Sequence, residues 1–261
     1  MLNKPKKSLG QNFLHDKNIL KKIIHAASIR SNDEVLEVGP GTGNLTRYIV
    51  DQNPKKVYVI EKDFSLSQKI NNYFKEKVTV ISKDILKVPQ NFYENKKLLI
   101  IGNLPYNIST KILSNWCLNQ NLNTSKLILM FQKEVADRIT AEVNTKEFSR
   151  ITIISNWKFN IKKICDVSPE CFYPKPKIKS TVLEFLPKKN IYKFKDPKNI
   201  EKVTKVFFNQ RRKMIKKPIN ILFKNHKFNF EKYHLAPSDR PQNINVEKYL
   251  GIVKDYEKLL H

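Results

Sequence analysis

The residues with the clearest chemical use are Asn103, Leu104, Pro105 and Tyr106, which follow Gly102 at the end of the apolar run Leu98-Leu99-Ile100-Ile101. Such a run reads as a buried strand, and open α/β sheets keep their sites at the carboxyl ends of strands. These residue types suit an exocyclic amine on a planar ring, such as N6 of adenine. That nitrogen is a poor nucleophile because its lone pair is delocalised into the ring, so a catalyst must accept its hydrogens and turn it toward tetrahedral geometry. The Asn103 side-chain oxygen is one acceptor. Pro105 holds Leu104 extended and can present the Leu104 carbonyl as the second. Tyr106 offers a ring face on which a base stacks. Asn, Pro and Tyr also occur in ordinary strand-to-turn junctions, so this element needs partners elsewhere in the chain.

Those partners are the other strand ends. Glu34-Val35-Leu36-Glu37-Val38 reads as a strand running into Gly39-Pro40-Gly41-Thr42-Gly43 and then a helix from Asn44 to Val50. A glycine turn opening a helix is a general nucleotide cradle. The dinucleotide fingerprint would need glycine where Asn44 stands, and the spacing Glu37, Gly39, Gly41, Gly43 instead resembles S-adenosylmethionine enzymes. A strand from Lys56 to Ile60 ends in Glu61 and Lys62, about twenty residues beyond the glycine turn, where a carboxylate reaches both hydroxyls of a ribose. A third, Val78 to Ser82, ends in Lys83-Asp84-Ile85, with Asp84 placed to accept from an adenine amine. Three such strand ends in succession are far harder to obtain by chance than one.

The composition bounds the rest. A chain of 261 residues with 40% hydrophobic content supplies a proper core. Its 49 Lys+Arg against 24 Asp+Glu give a net charge of +25 and point to a polyanionic partner, although 42 of the 49 are lysines, as an AT-rich genome also produces. Only six glycines remain, and Gly10, Gly39, Gly41, Gly43 and Gly102 all fall in the segments discussed here. Cys117, Cys165 and Cys171 form neither a disulfide framework nor a zinc motif. The five histidines are scattered, so no metal site and no catalytic histidine is expected. Neither a signal segment nor a membrane span is visible, and a cytoplasmic monomer is expected.

Alternating strands and helices through residue 143 imply a parallel sheet, with a first helix over Lys17 to Ala27, another over Ile108 to Cys117, a strand over Lys126 to Phe131 and a helix over Lys133 to Val143. Ile151 to Trp157 and Thr181 to Leu186 then read as consecutive strands closing the sheet antiparallel. Between them, Cys171-Phe172-Tyr173-Pro174-Lys175-Pro176-Lys177 is a proline-stiffened loop. Phe172 could cover the second face of a base held on Tyr106 or tuck into the core, while Lys175 and Lys177 hold phosphates. Before the first helix, Ser8-Leu9-Gly10-Gln11-Asn12-Phe13-Leu14 reads as a segment folded over a ligand, with Asn12 and the Leu14 backbone as contacts; a basic leader is the alternative. After Pro187-Lys188-Lys189 the pattern is helical, giving domains 1–187 and 188–261. Residues 202–230 carry nine Lys or Arg and no acid, with Val203, Val206, Phe207 and Met214 as a buried stripe and Lys205, Arg212 and Lys216 on another face.

With these residues in view, the chain resembles the ribosomal RNA adenine dimethyltransferase family of the bacterial KsgA type. The likeness rests on Ser8 to Leu14, Glu37 to Thr46, Glu61, Asp84, Gly102 to Thr110, Phe172-x-Pro174-x-Pro176-x-Ile178-x-Ser180 and Phe208-Asn209-Gln210-Arg211-Arg212-Lys213. It implies a Rossmann-like class I methyltransferase sheet, mostly parallel with an antiparallel last strand, and a small C-terminal helical domain. It implies an S-adenosylmethionine site at Asn12, Leu14, Gly39, Glu61, Asp84 and Asn103 and a target adenine held by Asn103, Leu104, Tyr106 and Phe172; Gln11, Glu37, Gly41, Gly43, Lys62 and Ile85 are expected to bind the cofactor as well, and Pro105 to belong to the catalytic element. The implied substrate is a pair of neighbouring adenosines in the last hairpin of small-subunit rRNA, with the small ribosomal subunit as partner and Lys175, Lys177, Lys205, Arg211, Arg212, Lys213 and Lys216 on RNA. The leader before Gln11 is short for the family, and Ile178 stands where valine is common. A large-subunit rRNA adenine methyltransferase of the macrolide-resistance type, a non-enzymatic assembly factor and a DNA adenine methyltransferase are the alternatives; the run Asn209 to Lys213 favours the small subunit.

Overall fold

The computed structural model describes residues 5–6, 10–224 and 226–260. Ser8 and Leu9 of the leader motif lie outside the described residues. Two compact units are present. The first comprises Met1–Leu113, Asn121–Ala136 and Asn160–Pro187, and the second Ser114–Gln120, Asp137–Phe159 and Lys188–His261.

The first unit is built on a seven-stranded sheet of β2 (Glu34–Val38), β3 (Lys56–Glu61), β4 (Thr79–Ser82), β5 (Leu98–Asn103), β6 (Thr124–Gln132), β7 (Phe159–Val167) and β9 (Ser180–Pro187), in the order β4-β3-β2-β5-β6-β9-β7. The pairs β4–β3, β3–β2, β2–β5 and β5–β6 are parallel and β6–β9 is antiparallel. A separate two-residue ribbon joins β1 (Phe13–Leu14) antiparallel to β8 (Phe172–Tyr173). The central strands are buried on both faces, hence their unbroken apolar runs. One face, carrying Val35, Val57, Val59, Leu99, Ile101 and Met130, packs with α1 (Lys17–Ala27), α2 (Asn44–Val50) and α3 (Phe64–Phe74) into the main core cluster. The order reverses between β2 and β5, and a crevice opens at their carboxyl ends, as the topology of an open sheet requires.

α4 (Ser109–Leu118) follows the Asn103–Tyr106 element and α5 (Lys133–Ile139) follows β6. The expected strand at Ile151 to Trp157 is instead α6 (Arg150–Lys158). A short apolar run cannot distinguish a buried strand from a buried helix by periodicity; here the Thr152 hydroxyl oxygen accepts from the Ser149 N–H at 3.0 Å, a capping arrangement that starts a helix. The strand beside β9 is β7, which the sequence reading passed over because its lysines interrupt the apolar pattern.

In the second unit α6 packs on α7 (Lys198–Phe208) and α9 (Val246–Lys258), with α8 (Lys216–Phe223) against α7. Val203 and Phe207 are fully buried as expected, but α7 stops at Phe208, and Met214, 57% exposed, lies in the following turn rather than on a buried stripe. Lys205, Arg212 and Lys216 therefore share no single helix face, since Lys216 begins α8.

Candidate active site

At the switch point the four strand ends meet. A cleft of about 930 Å³, counting its open mouth, brings together Gln11, Asn12, Gly39, Gly41, Glu61, Lys62, Asp84, Ile85, Asn103, Leu104, Pro105 and Tyr106. The residues before α1 cross it as a strap. The Asn103 amide nitrogen donates to the Asn12 carbonyl at 2.9 Å, and Asn44 Nδ2 donates to the Leu14 carbonyl at 2.8 Å. Because the Asn12 carbonyl can only accept, the amide nitrogen of Asn103 must face the strap, which leaves Oδ1 as the free acceptor.

The outer end of the strap is clasped by Asp63, two residues beyond Glu61. Its carboxylate caps α3 at Ser65 and takes Lys6 Nζ at 3.0 Å and Gln11 Nε2 at 3.1 Å. Burial alone would raise its pKa, but the Lys6, Ser65 and Gln11 bonds outweigh it and hold the carboxyl at about 2. Phe13 lies over the glycine turn so closely that a Cβ on Gly41 would stand 2.6 Å from its ring, and Gly41 has φ +57, so only glycine fits there.

Glu61 is 8% exposed, with Oε1 accepting from the Asp63 N–H at 2.8 Å and Oε2 from the Gly41 N–H at 3.3 Å. Burial raises its pKa against these donors. Asp84 responds oppositely: burial pushes up, but the Leu86 N–H and Lys62, whose ammonium is 3.0 Å away, pull its carboxyl below the usual range. A carboxylate fixed by backbone N–H groups, with the glycine turn at the strand end on one side and a second acceptor at the strand end on the other, offers the acceptors that a ribose and its attached adenine call for.

Four expected site residues do not line the cleft. Glu37 is buried beneath the glycine turn with Oε2 lacking a hydrogen-bond partner among the described residues. Burial, with the Glu61 charge adding and the Thr46 hydroxyl opposing, pushes its carboxyl up to about 8. Gly43 lines a neighbouring groove with Arg47 and Tyr73. Leu14 and Phe172 face each other across the β1–β8 ribbon and are 6% and 3% exposed, both within the core. Of the two readings of Phe172, the structure shows the core one, while strand alternation leaves its neighbour Tyr173 56% exposed.

A family model described as Ribosomal RNA adenine dimethylase matches residues 2–258. The chain belongs to that family. Among curated relatives in or beside the family, a Ribosomal RNA small subunit methyltransferase A of Pelagibacter ubique (strain HTCC1062) is 52% identical over 261 residues, covering 99% of each chain, and one of Malacoplasma penetrans (strain HF-2) is 39% identical over 256 residues, covering 97% and 92%. The crystal structure of a dimethyladenosine transferase from Plasmodium falciparum superposes with TM-score 0.80 at 28% identity, covering 94% of this chain and 98% of that one. The 23S rRNA methyltransferase ErmE shares the fold at TM-score 0.69 and 20% identity, covering 95% and 100%.

Within this member of the family, sequence reasoning overlooked Asp63 and Ser180. Asp63 was legible as a helix N-cap next to Glu61. Ser180, whose Oγ is 2.6 Å from the Tyr106 hydroxyl, is visible in sequence as the last residue of the Phe172–Ser180 motif, but nothing local links it to Tyr106. Of the basic residues, Lys205, Arg212, Lys213, Lys216, Lys177 and Lys175 are exposed, the last paired with the equally exposed Glu170 at 2.5 Å, whereas Arg211 is half-buried and donates to the Lys146 carbonyl at 2.5 Å and to Gln242 Oε1 at 3.2 Å.

Two outcomes are expected. Glu61→Gln weakens binding of S-adenosylmethionine roughly ten- to a hundredfold, the loss of a charge-assisted acceptor, without unfolding; calorimetry on the folded variant checks this. Burial pushes the Glu37 pKa up to about 8 from an ordinary 4.5, so the stability this group contributes is full below the lower value and is lost as pH rises to the upper one. Melting temperatures of wild type and Glu37→Gln should converge at acid pH and separate, with the variant higher, toward pH 8.

Proposed function

We propose that the protein transfers methyl groups from S-adenosylmethionine to the N6 amines of two adjacent adenosines in the 3′-terminal hairpin of small-subunit (16S) rRNA, during late assembly of that subunit. The observation that carries this reading is the Asn103 side chain, locked by the Asn12 carbonyl so that Oδ1 stands free beside Leu104, in the same cleft as Glu61 and Asp84.

When bound, the cofactor supplies a methyl group on a positively charged sulfur, already activated toward a nucleophile. Glu61 accepts from the ribose, Asp84 with the Ile85 backbone reads the adenine edge, and Asn12, Gly39 and Gly41 cradle the remainder. Oδ1 of Asn103 and the Leu104 carbonyl each accept one hydrogen of the target amine and draw its lone pair out of conjugation. Tyr106 carries the base on its ring face, and the amine proton leaves to water after transfer. Positioning and fixed dipoles supply the rate. After one methylation the amine has a single hydrogen left, so the second transfer proceeds with one acceptor idle and a methyl group housed near Leu104. Exposed Arg212, Lys213, Lys205 and Lys216 in the second unit, with Lys177 in the first, meet RNA phosphates.

The deciding experiment is labelled methyl transfer to immature small subunits, large subunits, naked rRNA and duplex DNA in parallel, with mass spectrometry of the nucleosides. Dimethyladenosine in immature small subunits is the expected product. Asn103→Ala should slow both transfers by about a hundredfold or more, the scale seen when a fixed polar group of a transition state is removed, with little change in melting temperature. A second expectation separates the paired arginines. Arg212→Ala weakens binding of the particle and lowers its salt slope by about one, leaving stability intact. Arg211→Ala loses bonds inside its own unit and lowers stability as well, measured by denaturant unfolding.

A further inference from the structure

Tyr106 and Ser180 are 74 residues apart in sequence, yet their hydroxyl oxygens lie 2.6 Å from each other. Ser180 is fully buried and opens β9, where it pairs with Gln132 of β6, so the sheet fixes its backbone. The adjoining Lys179 carbonyl accepts from the Lys133 N–H at 3.0 Å, and the Thr181 hydroxyl donates to Asp166 at 2.7 Å, so the serine is held from both sides. Tyr106 is partly buried and lines the cleft. Burial raises its pKa, with the Ser180 hydroxyl opposing, and the phenol stays neutral.

A tyrosine ring turns about two bonds. Rotation about the second leaves the hydroxyl oxygen on the axis, so a hydrogen bond there does not stop the ring from flipping. Rotation about the first swings the oxygen away by several ångströms, so the same bond selects one staggered direction for the whole ring. Without it the ring has other directions available on the open side of the cleft.

We propose that Ser180 is a positioning residue for the methyl acceptor: its hydroxyl pins Tyr106 in the single direction that offers the ring face to the target base. This rests on the reading of Tyr106 as the base platform. It also gives a reason for the serine that closes the Phe172–Ser180 segment, because that segment and the Gly102–Tyr106 segment then build one acceptor pocket.

The test compares wild type, Ser180→Ala, Tyr106→Phe and the double variant on immature small subunits. Each single substitution breaks the same bond and should lower kcat roughly three- to tenfold, and the double variant should lose no more than the worse single. KM for S-adenosylmethionine and calorimetric cofactor affinity should be unchanged, a split that general loosening of the fold would not give. Independently of turnover, the three-bond couplings across the first side-chain torsion of isotopically labelled Tyr106 should report one staggered direction in wild type and an average over several in Ser180→Ala. Wild-type kcat in Ser180→Ala, unaltered couplings, or a double variant whose loss is the product of the two singles overturns the proposal. If wild type methylates no rRNA, the platform reading fails and the proposal with it; an active wild type with an unaffected Ser180→Ala removes the proposal alone.

Discussion

One hydrogen bond holds the candidate site together: the Asn103 amide donating to the Asn12 carbonyl at 2.9 Å. It settles which end of a nearly symmetric amide faces the cleft, and it ties the end of β5 to the strap that crosses the glycine turn. An asparagine free to flip would offer a donor where an amine needs an acceptor, and the two ends of an amide differ little in shape. The selection comes from a backbone carbonyl that has no alternative but to accept. The remaining strap contacts, at Asn44, Asp63 and over Gly41, keep that carbonyl where it is.

Carboxyl groups gather in and around the cleft in a protein of net charge +25, Glu61 and Asp84 lining it and Glu37 and Asp63 beside it. Glu37, Glu61, Asp63 and Asp84 occupy one neighbourhood, and the number and charge of their donors sort them. Glu37, with an oxygen unpartnered among the described residues, goes up to about 8; Asp63, with a lysine, an amide and a hydroxyl, goes down to about 2. Glu61 rises because burial outweighs neutral N–H groups, and Asp84 falls because a lysine joins its donors. The two carboxylates held below the usual range, Asp63 and Asp84, are those carrying ion pairs, with Lys6 and Lys62; the two without one, Glu37 and Glu61, are pushed up by burial.

How much of this could be read from the chain follows from whether a feature is local. The glycine turn, Glu61, Asp84 and the Asn103–Tyr106 element are each a strand end with its own residue signature, so they were legible. α6 reads as a strand because Ile151 to Trp157 is a short apolar run, and the signal that starts the helix depends on Ser149, before the run, bonding to Thr152 within it. Phe172 was ambiguous because its side is fixed by pairing with Leu14, more than 150 residues away in sequence, and nothing nearby records that partner. Arg211 looked identical to Arg212 in sequence; only the fold shows that one is consumed by Lys146 and Gln242.

The two-residue ribbon between β1 and β8 is small, but it splices the strap to the proline loop, and the His15 N–H donating to the Cys171 carbonyl at 3.0 Å lengthens the splice. The strap crosses the cleft and the glycine turn, and the segment that begins with the proline loop ends at Ser180, whose hydroxyl lies against Tyr106 in the cleft wall. Whatever steadies one steadies the other through the same few backbone bonds. Thermodynamic reciprocity then makes the traffic symmetrical: to the extent that RNA on the loop tightens the hold on the nucleoside, the nucleoside must tighten the hold on RNA by the same factor. Any coupling that the ribbon carries would therefore act with equal strength in both directions.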